Sequence, residues 1–375
     1  MAKNIKHNKA LSVLVSIIMF IIGVGAGFIG FYEFQINGLK SDVFVSGDLS
    51  FHFLELGNEY TGDCTLVKVG NTEVLIDAGS KTSSIPTISS YLNEYVEDNI
   101  IEYVIVTHAH EDHYAGFATN SSTDSIFDLY TIGTIIDFAQ ITENKGTSSM
   151  YLNYQRELEE VVARGAKHYT ALDCVKNTNG ASNKYSLSQG VEMTILYQKY
   201  YEEVSTTENN HSVCTLFTQG TNNFLFTGDL EEDGEESLAL SNELPHCVLY
   251  KAGHHGSKTS SHDVLLSEIT PEICCVCCCA GNVEYTQTMN NTFPTQDFID
   301  RISKHTDAVY VTTLGYIVWD EATNKYKNDG FTSMNGNIVV TSNASGVSVN
   351  CSNNNTKLKD TEWFKANRTC PTNWA

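Results

Sequence analysis

The first long block of the chain is apolar and uncharged, LSVLVSIIMFIIGVGAGFIGF from Leu11 to Phe31. At about twenty residues it is long enough to cross a bilayer as a helix. Lys3, Lys6 and Lys9 precede it and Glu33 and Asp42 follow, a bias that places residues 1–10 in the cytoplasm and the remainder outside. The block is longer than the core of a cleaved signal peptide and no clear small-x-small cleavage site precedes Tyr32, so the pattern predicts an uncleaved signal anchor over 11–31. Residues 32–47 form a linker to the main body.

From residue 48 the apolar positions come in short blocks. FHFLELG, CTLVKVG and TEVLIDAG alternate or run together and end in glycine, which predicts three successive strands. IPTISSYLNEYVEDN then puts Ile88, Tyr91, Leu92, Tyr95 and Val96 at helical spacing behind Pro86, before the buried-strand run IIEYVIVT. A second helix is predicted in MYLNYQRELEEVVARG, with Tyr151, Tyr154, Leu158, Val161 and Val162 on one face and Gly165 as the stop. VEMTILYQ, VCTLFTQG, NFLFTGDL and HCVLYK read as further strands. Strand blocks interleaved with helices, with polar motifs at strand ends, predict a layered α/β domain over 48–345. The Asn- and Ser-rich segment 346–375 reads as a peripheral tail, with Trp363 and Phe364 to dock it.

Charge and cysteine narrow the picture. Against 23 basic residues stand 45 acidic ones, a net charge of -22 that repels polyanions at long range and argues against nonspecific nucleic-acid binding. Five of the 11 cysteines crowd into ICCVCCCAG, without the separated pairs of a metal site, and read as small apolar residues of a buried strand. Cys351 and Cys370 lie in the tail, where a disulfide is open to them in an oxidising compartment.

The chemistry is concentrated in VTHAHEDHYAG. A strand running into His108, His110, Asp112 and His113 carries them on a turn, where imidazoles and a carboxylate can converge as they do on zinc, manganese or iron. The spacing divides into two pairs, His108 with His110 and Asp112 with His113, which suits two neighbouring cations. LFTGDLEE ends another strand at Asp229, a carboxylate placed to bridge them, and YKAGHHGSKTS ends a third at His254 and His255.

FHFLELGN, GDCTLVKVGNTEVLIDAG, THAHEDHYAG, ENNHSVCTLF, FLFTGDLEE, LYKAGHHGSKTSS and AGNVEYTQ, in that order over about residues 48 to 345, resemble the metallo-β-lactamase-fold superfamily. The branch they are most similar to is the nuclease-like domain of ComEC-type DNA-uptake proteins. The resemblance implies a four-layer αβ/βα sandwich with a dinuclear site, zinc or manganese, along one edge. It assigns His108 and His110 to the first metal, Asp112 and His113 to the second, Asp229 to the bridge and His254 to completing the second. His255 then lies nearby as a substrate or proton-transfer group, so Asp112, Asp229 and His255 are the expected catalytic set, and Asp77 supports the ligand loop. The third histidine of the first metal has no motif here; the region reads ENNHSV and offers His211 or Asn210. Where relatives carry His-Pro, this chain has Phe293-Pro294. It also has one predicted anchor where competence proteins of this kind have a many-helix channel, so a channel would be a separate membrane partner.

Two cations bridged by Asp229 would acidify a shared water and stabilise an in-line displacement, which implies hydrolysis. Phosphodiesters are the expected substrates, as a DNA strand, a cell-wall phosphodiester or a nucleotide, with His255, Ser257 and Lys258 as phosphate-facing donors. A membrane-tethered, non-catalytic binding or scaffold module is the alternative that the missing histidine motif raises.

Overall fold

The computed structural model describes residues 48–120 and 122–375. The expected cytoplasmic segment, membrane anchor and linker, 1–47, lie outside the described residues. Among the described residues no helix is long and apolar enough to cross a membrane.

Two eight-stranded sheets make the frame. The first runs, from edge to edge, β16 (Gly346–Cys351), β15 (Ile338–Asn343), β1 (Leu49–Phe53), β2 (Thr65–Val69), β3 (Thr72–Ile76), β4 (Ile100–Ile105), β5 (Thr131–Asp137) and β6 (Lys167–Thr170). The second runs β14 (Lys325–Ser333), β13 (Val309–Asp320), β12 (Ile273–Ala280), β11 (Leu249–Lys251), β10 (Asn222–Phe226), β9 (Cys214–Gln219), β8 (Val191–Leu196) and β7 (Lys184–Ser188). Each sheet is mixed: β3 to β6 are parallel neighbours in one, β10 to β13 in the other, and the remaining pairs are antiparallel. This two-sheet α/β sandwich agrees with the fold class expected from the sequence.

Aromatic side chains lock the sheets together. Phe51 of β1 lies with its ring centroid 4.6 Å from Phe224 and 5.5 Å from Phe217, and Phe53 stacks on Phe226 at 5.9 Å. The cysteine-rich strand β12 is buried on both faces. Cys275 and Cys277 enter the core with the β1, β9 and β10 aromatics, whereas Cys274, Val276 and Cys278 meet Leu265, Phe298 and Ile299 on the helical side. A central strand covered on both faces needs small apolar side chains in both directions, and every thiol in it is free.

The helices form where the spacing placed them, α1 at Ile85–Tyr95 and α2 at Ser149–Ala163. One face differs: Val162 is exposed, and Glu157 takes an inward position instead. It is satisfied there by Thr119, Ser125 and Arg156, so a carboxylate with three partners occupies a place that patterning reserves for apolar residues.

The tail is part of the fold. Gly346–Cys351 is the edge strand of the first sheet, paired to β15 from Asn343↔Gly346 to Ile338↔Cys351. Beyond it, Leu358, Phe364 and Trp374 are buried in the second core. Arg368 donates to the carbonyls of Thr292 and Pro294 while its guanidinium packs on Trp363. The polar composition of the tail is that of an edge strand and its turns. Cys351 and Cys370 are both free.

Candidate metal centre

The parallel strands of both sheets deliver their carboxyl ends to one edge, the usual place for a ligand in α/β sheets. Asp77 follows β3, the His108–His113 turn follows β4, Asp229 follows β10 and the His254–His255 turn follows β11. Asp63 arrives from the other direction, because β2 is antiparallel to β3 and its start lies beside the end of β3 at Thr65↔Ile76.

Two close approaches of backbone shape the edge. A Cβ on Gly79 would lie 1.7 Å from the Asp112 carbonyl oxygen, so only glycine lets the loop after β3 seat against the histidine turn. That seat is held by hydrogen bonds from Ala78 N to His113 O at 2.7 Å and from Asp63 N to Asp112 O at 2.9 Å. Gly228 has φ of 55° and a Cβ there would meet Ser212 Oγ at 2.8 Å; Ser212 Oγ in turn accepts from Asp229 N at 3.0 Å.

Asp229 is the hub. Its Oδ2 lies 3.0 Å from His113 Nε2, 3.3 Å from His255 Nε2, and 3.9 Å from both His108 Nε2 and His254 Nε2. His110 Nδ1 is 3.0 Å from His108 Nε2, and Asp112 Oδ2 is 3.3 Å from His255 Nε2. The outer nitrogens are held as well. His113 Nδ1 contacts Asp77 Oδ2 at 2.8 Å, and His255 Nδ1 contacts the Cys277 carbonyl at 2.8 Å. Asp77 also accepts from Thr107 N at 2.8 Å, which ties the start of the turn to β3.

The electrostatics follow from this crowding. Burial disfavours the imidazolium of His113, but Asp229 and Asp77 outweigh it and push its pKa up to about 10. Burial likewise opposes charge on His255, and Asp229 and Asp63 overcome it. His108 goes the other way: burial, with His113 and His110 beside it, holds it well below the usual range. Burial would raise the Asp229 and Asp112 carboxyls, yet the neighbouring histidines keep both well below the usual carboxylate range.

Of the expected ligands, the structure gathers His108, His110, Asp112, His113, Asp229 and His254, and adds two changes. His255, fully buried, sits deeper than His254: with Asp63, His113 and Asp229 it forms a group whose ligand atoms all lie within 4.8 Å of one another. His254 stands at the rim, with Nδ1 3.0 Å from Thr259 Oγ1. The second change concerns His211, which is not brought to the centre. Its Nε2 accepts from Ser205 N at 3.1 Å and its Nδ1 lies 3.5 Å from Glu208, because the 3-10 turn Glu208–His211 directs it into the adjoining loop. Asn210 is also elsewhere, its Oδ1 accepting from Glu231 N. Ser257 is turned into its own loop by Thr259, and only Lys258 of that pair is exposed.

Three participants escaped the sequence reading. Asp63 lies 3.5 Å from His255 Nδ1 and 3.6 Å from His113 Nδ1. Lys251, buried at the end of β11, forms a tight ion pair with Asp63 and stands 3.8 Å from Asp229 Oδ1. Tyr285 donates to Asp112 Oδ2 at 2.7 Å. Asp63 and Lys251 sit inside strand-like blocks with no local signal; Tyr285 was visible only as the last residue of GNVEY. Phe293, which stands where His-Pro was expected, places its ring 5.8 Å from His254, 5.9 Å from His255 and 5.7 Å from Tyr285.

The donor set suits a divalent cation. Both Asp229 oxygens and Asp63 Oδ1 are buried without a hydrogen bond of good geometry, although His113 Nε2 lies 3.0 Å from Asp229 Oδ2. Imidazole nitrogens converging on a buried, unsatisfied carboxylate are the ligands zinc and manganese take.

The metallo-β-lactamase superfamily model matches residues 57–119, the segment that carries Asp63, Asp77 and the histidine turn. Over that segment the chain is similar to the metallo-β-lactamase superfamily. The domain is also similar to Recombination protein 2 of Haemophilus influenzae, 30% identical over 126 residues, which is 34% of this chain and 15% of that protein. Among solved structures, the domain is similar to the metallo-β-lactamase fold protein YhfI from Bacillus subtilis. The identity is 11% and the TM-score 0.39, covering 70% of this chain and 95% of that one. It is also similar to the short form of human tRNase Z, at 12% identity and TM-score 0.32, over 70% and 91% of the two chains.

Proposed function

We propose that this protein is a metal-dependent phosphodiester hydrolase, tethered to the cell membrane by residues 11–31 with residues 48–375 on the extracytoplasmic side. The observation that carries the reading is the convergence of His108, His113, His254 and His255 on one oxygen of Asp229, all within 3.9 Å. In this reading His108 and His110 would hold one ion and Asp112, His113 and His255 the other, with Asp229 shared between them. His254, at the rim and 3.9 Å from Asp229 Oδ2, would complete the donor set. Divalent ions there supply Lewis acidity and a water acidified towards neutrality.

The remaining residues orient and neutralise. Asp77 and the Cys277 carbonyl fix the outer nitrogens of His113 and His255, and so the direction of their inner ones. Lys251 neutralises Asp63 and steadies Asp229, whose two oxygens would otherwise stand buried beside a second unpaired carboxylate. Tyr285 holds Asp112 and presents its ring to the solvent side. Substrates of this chemistry include a DNA strand, a cell-wall phosphodiester or a nucleotide, and a separate membrane channel is the partner an anchored nuclease would need.

The test is metal content per chain, with bis-p-nitrophenyl phosphate turnover on the same full-length sample in zinc or manganese. Two ions with turnover support the hydrolase. One ion or none, without turnover under either metal, overturns it and favours the non-catalytic binding module, for which the displacement of His211 from the centre speaks.

A further inference from the structure

A cleft of about 700 Å³ opens beside the metal centre, lined in part by Glu231, Glu232, Asp233, Asp297 and Lys258. It adjoins the rim histidine, since two of its lining residues are partners of His254: Glu231 Oε1 lies 3.7 Å and Thr259 Oγ1 3.0 Å from His254 Nδ1. Asn209 bridges the same place, donating to Glu231 Oε1 at 2.9 Å, and its buried Oδ1 has no partner. Glu232, Asp233 and Asp297 are exposed, and among the described residues no lysine or arginine pairs with any of the four acids. His262, which also lines the cleft, is turned to Glu235 at 3.0 Å, with Glu232 at 3.7 Å.

A cleft walled by one sign of charge focuses its field and concentrates ligands of the opposite sign. Four carboxylates against Lys258 in the lining and Lys199 near Asp233 leave a net negative wall that repels a polynucleotide, whose every added phosphate would have to enter that field. They attract an ammonium group. The adjoining metal centre offers the opposite preference, and there a phosphate belongs.

We propose that the cleft selects small phosphodiesters in which one alcohol carries an ammonium group, and that it disfavours polynucleotides. This rests on the hydrolase reading above. Hydrolysis adds water across one P–O bond: phosphorus gains the water oxygen, the departing alcohol takes one proton, and the second is released from the phosphate monoester.

The experiment compares p-nitrophenylphosphorylcholine, bis-p-nitrophenyl phosphate and a labelled oligothymidylate on the full-length protein. The variants are Glu232→Lys/Asp233→Lys, its milder form Glu232→Gln/Asp233→Asn, and the control Glu94→Lys/Glu97→Lys, on α1 and the loop leading into the start of β4, away from the carboxyl ends. The expected result is that cleft reversal raises KM for the ammonium ester about tenfold with kcat unchanged and leaves KM for the bis-nitrophenyl ester equal or lower, while the control changes neither. Added salt should raise KM for the ammonium ester in the unmodified protein and the control, and less in the cleft variants. An unchanged KM for the ammonium ester in both cleft variants overturns the proposal, as does oligothymidylate cleavage with the higher kcat/KM. If no ester turns over, the hydrolase reading fails, and calorimetric binding of p-nitrophenylphosphorylcholine decides the cleft: binding weakened about tenfold by reversal supports it, and no binding overturns it.

Discussion

The two histidine turns of the metal centre reach the same point by different means. The first, Thr107 to Tyr114, has ordinary backbone: Thr107 N is fixed by Asp77, and His110 O accepts from His113 N and Tyr114 N as a one-turn helix begins. Its ligands are separated by spacers, so the sequence spacing alone says which side chains share a side. The second turn has His254 and His255 consecutive, at φ of 46° and 55°, in the left-handed region that β-carbon contacts make costly for residues other than glycine. Strained backbone of this kind persists where surrounding structure imposes it, and it clusters at functional sites. Here it aims both imidazoles at Asp229, with His255 against the Cys277 carbonyl and His254 against Thr259. A regular turn announces its geometry in its spacing, whereas a strained one does so only when folded.

The largest effect tests what the turns share. Asp229→Asn should lower phosphodiester turnover by about 10³-fold and abolish stoichiometric metal binding, measured by steady-state kinetics and metal analysis on a variant that keeps its far-ultraviolet circular dichroism. Turnover within tenfold of the parent would mean that the two turns do not serve one centre.

Next comes the buried cation beneath the second turn. Lys251→Met leaves Asp63 and Asp229 without their counter-ion and should cost about 3–5 kcal/mol in urea unfolding. The double change with Asp63→Asn should recover part of that loss; no recovery would show that Lys251 acts through something other than this pair.

Within the strained turn the two histidines should separate. His255→Ala is expected to reduce kcat/KM about 10²-fold, with loss of one metal equivalent, and His254→Ala about tenfold. The reverse order would restore the assignment that the sequence resemblance implies, with His254 as the inner ligand.

The smallest effect calibrates burial away from both turns. His52 on β1 is buried between Ser50 Oγ and Tyr91 OH, and burial, helped by Lys68, lowers its pKa to about 4. The unfolded chain takes up this proton near pH 6.5 and the folded one only near 4. The contribution is therefore present above 6.5 and lost as pH falls from 6.5 to 4, by about 3 kcal/mol. Urea midpoints of the parent and His52→Gln between pH 7 and 4 should converge by that amount; parallel curves would contradict it.

Much of the strand and helix pattern, and most of the centre, was legible. The reason is that β3, β4, β10 and β11 are short apolar blocks whose polar motifs begin where the strands stop. Val162 was misassigned to the inner face because a carboxylate that finds three partners, Glu157, can take an inward place on a helix face. The tail was misread because an edge strand buries one face and needs little apolar sequence.

The sequence by itself determined the strand blocks β1 to β4 and β8 to β12, two of the helices and the candidate ligands of the first turn, since these depend on period and local spacing. Only the tertiary structure decided that Asp63 and Lys251 join Asp229, that Tyr285 meets Asp112, that His211 stays away and that His255 lies inside His254. The physical reason is that these contacts link residues far apart in the chain and turn on strand direction and on two left-handed residues, none of which leaves a local mark in the sequence.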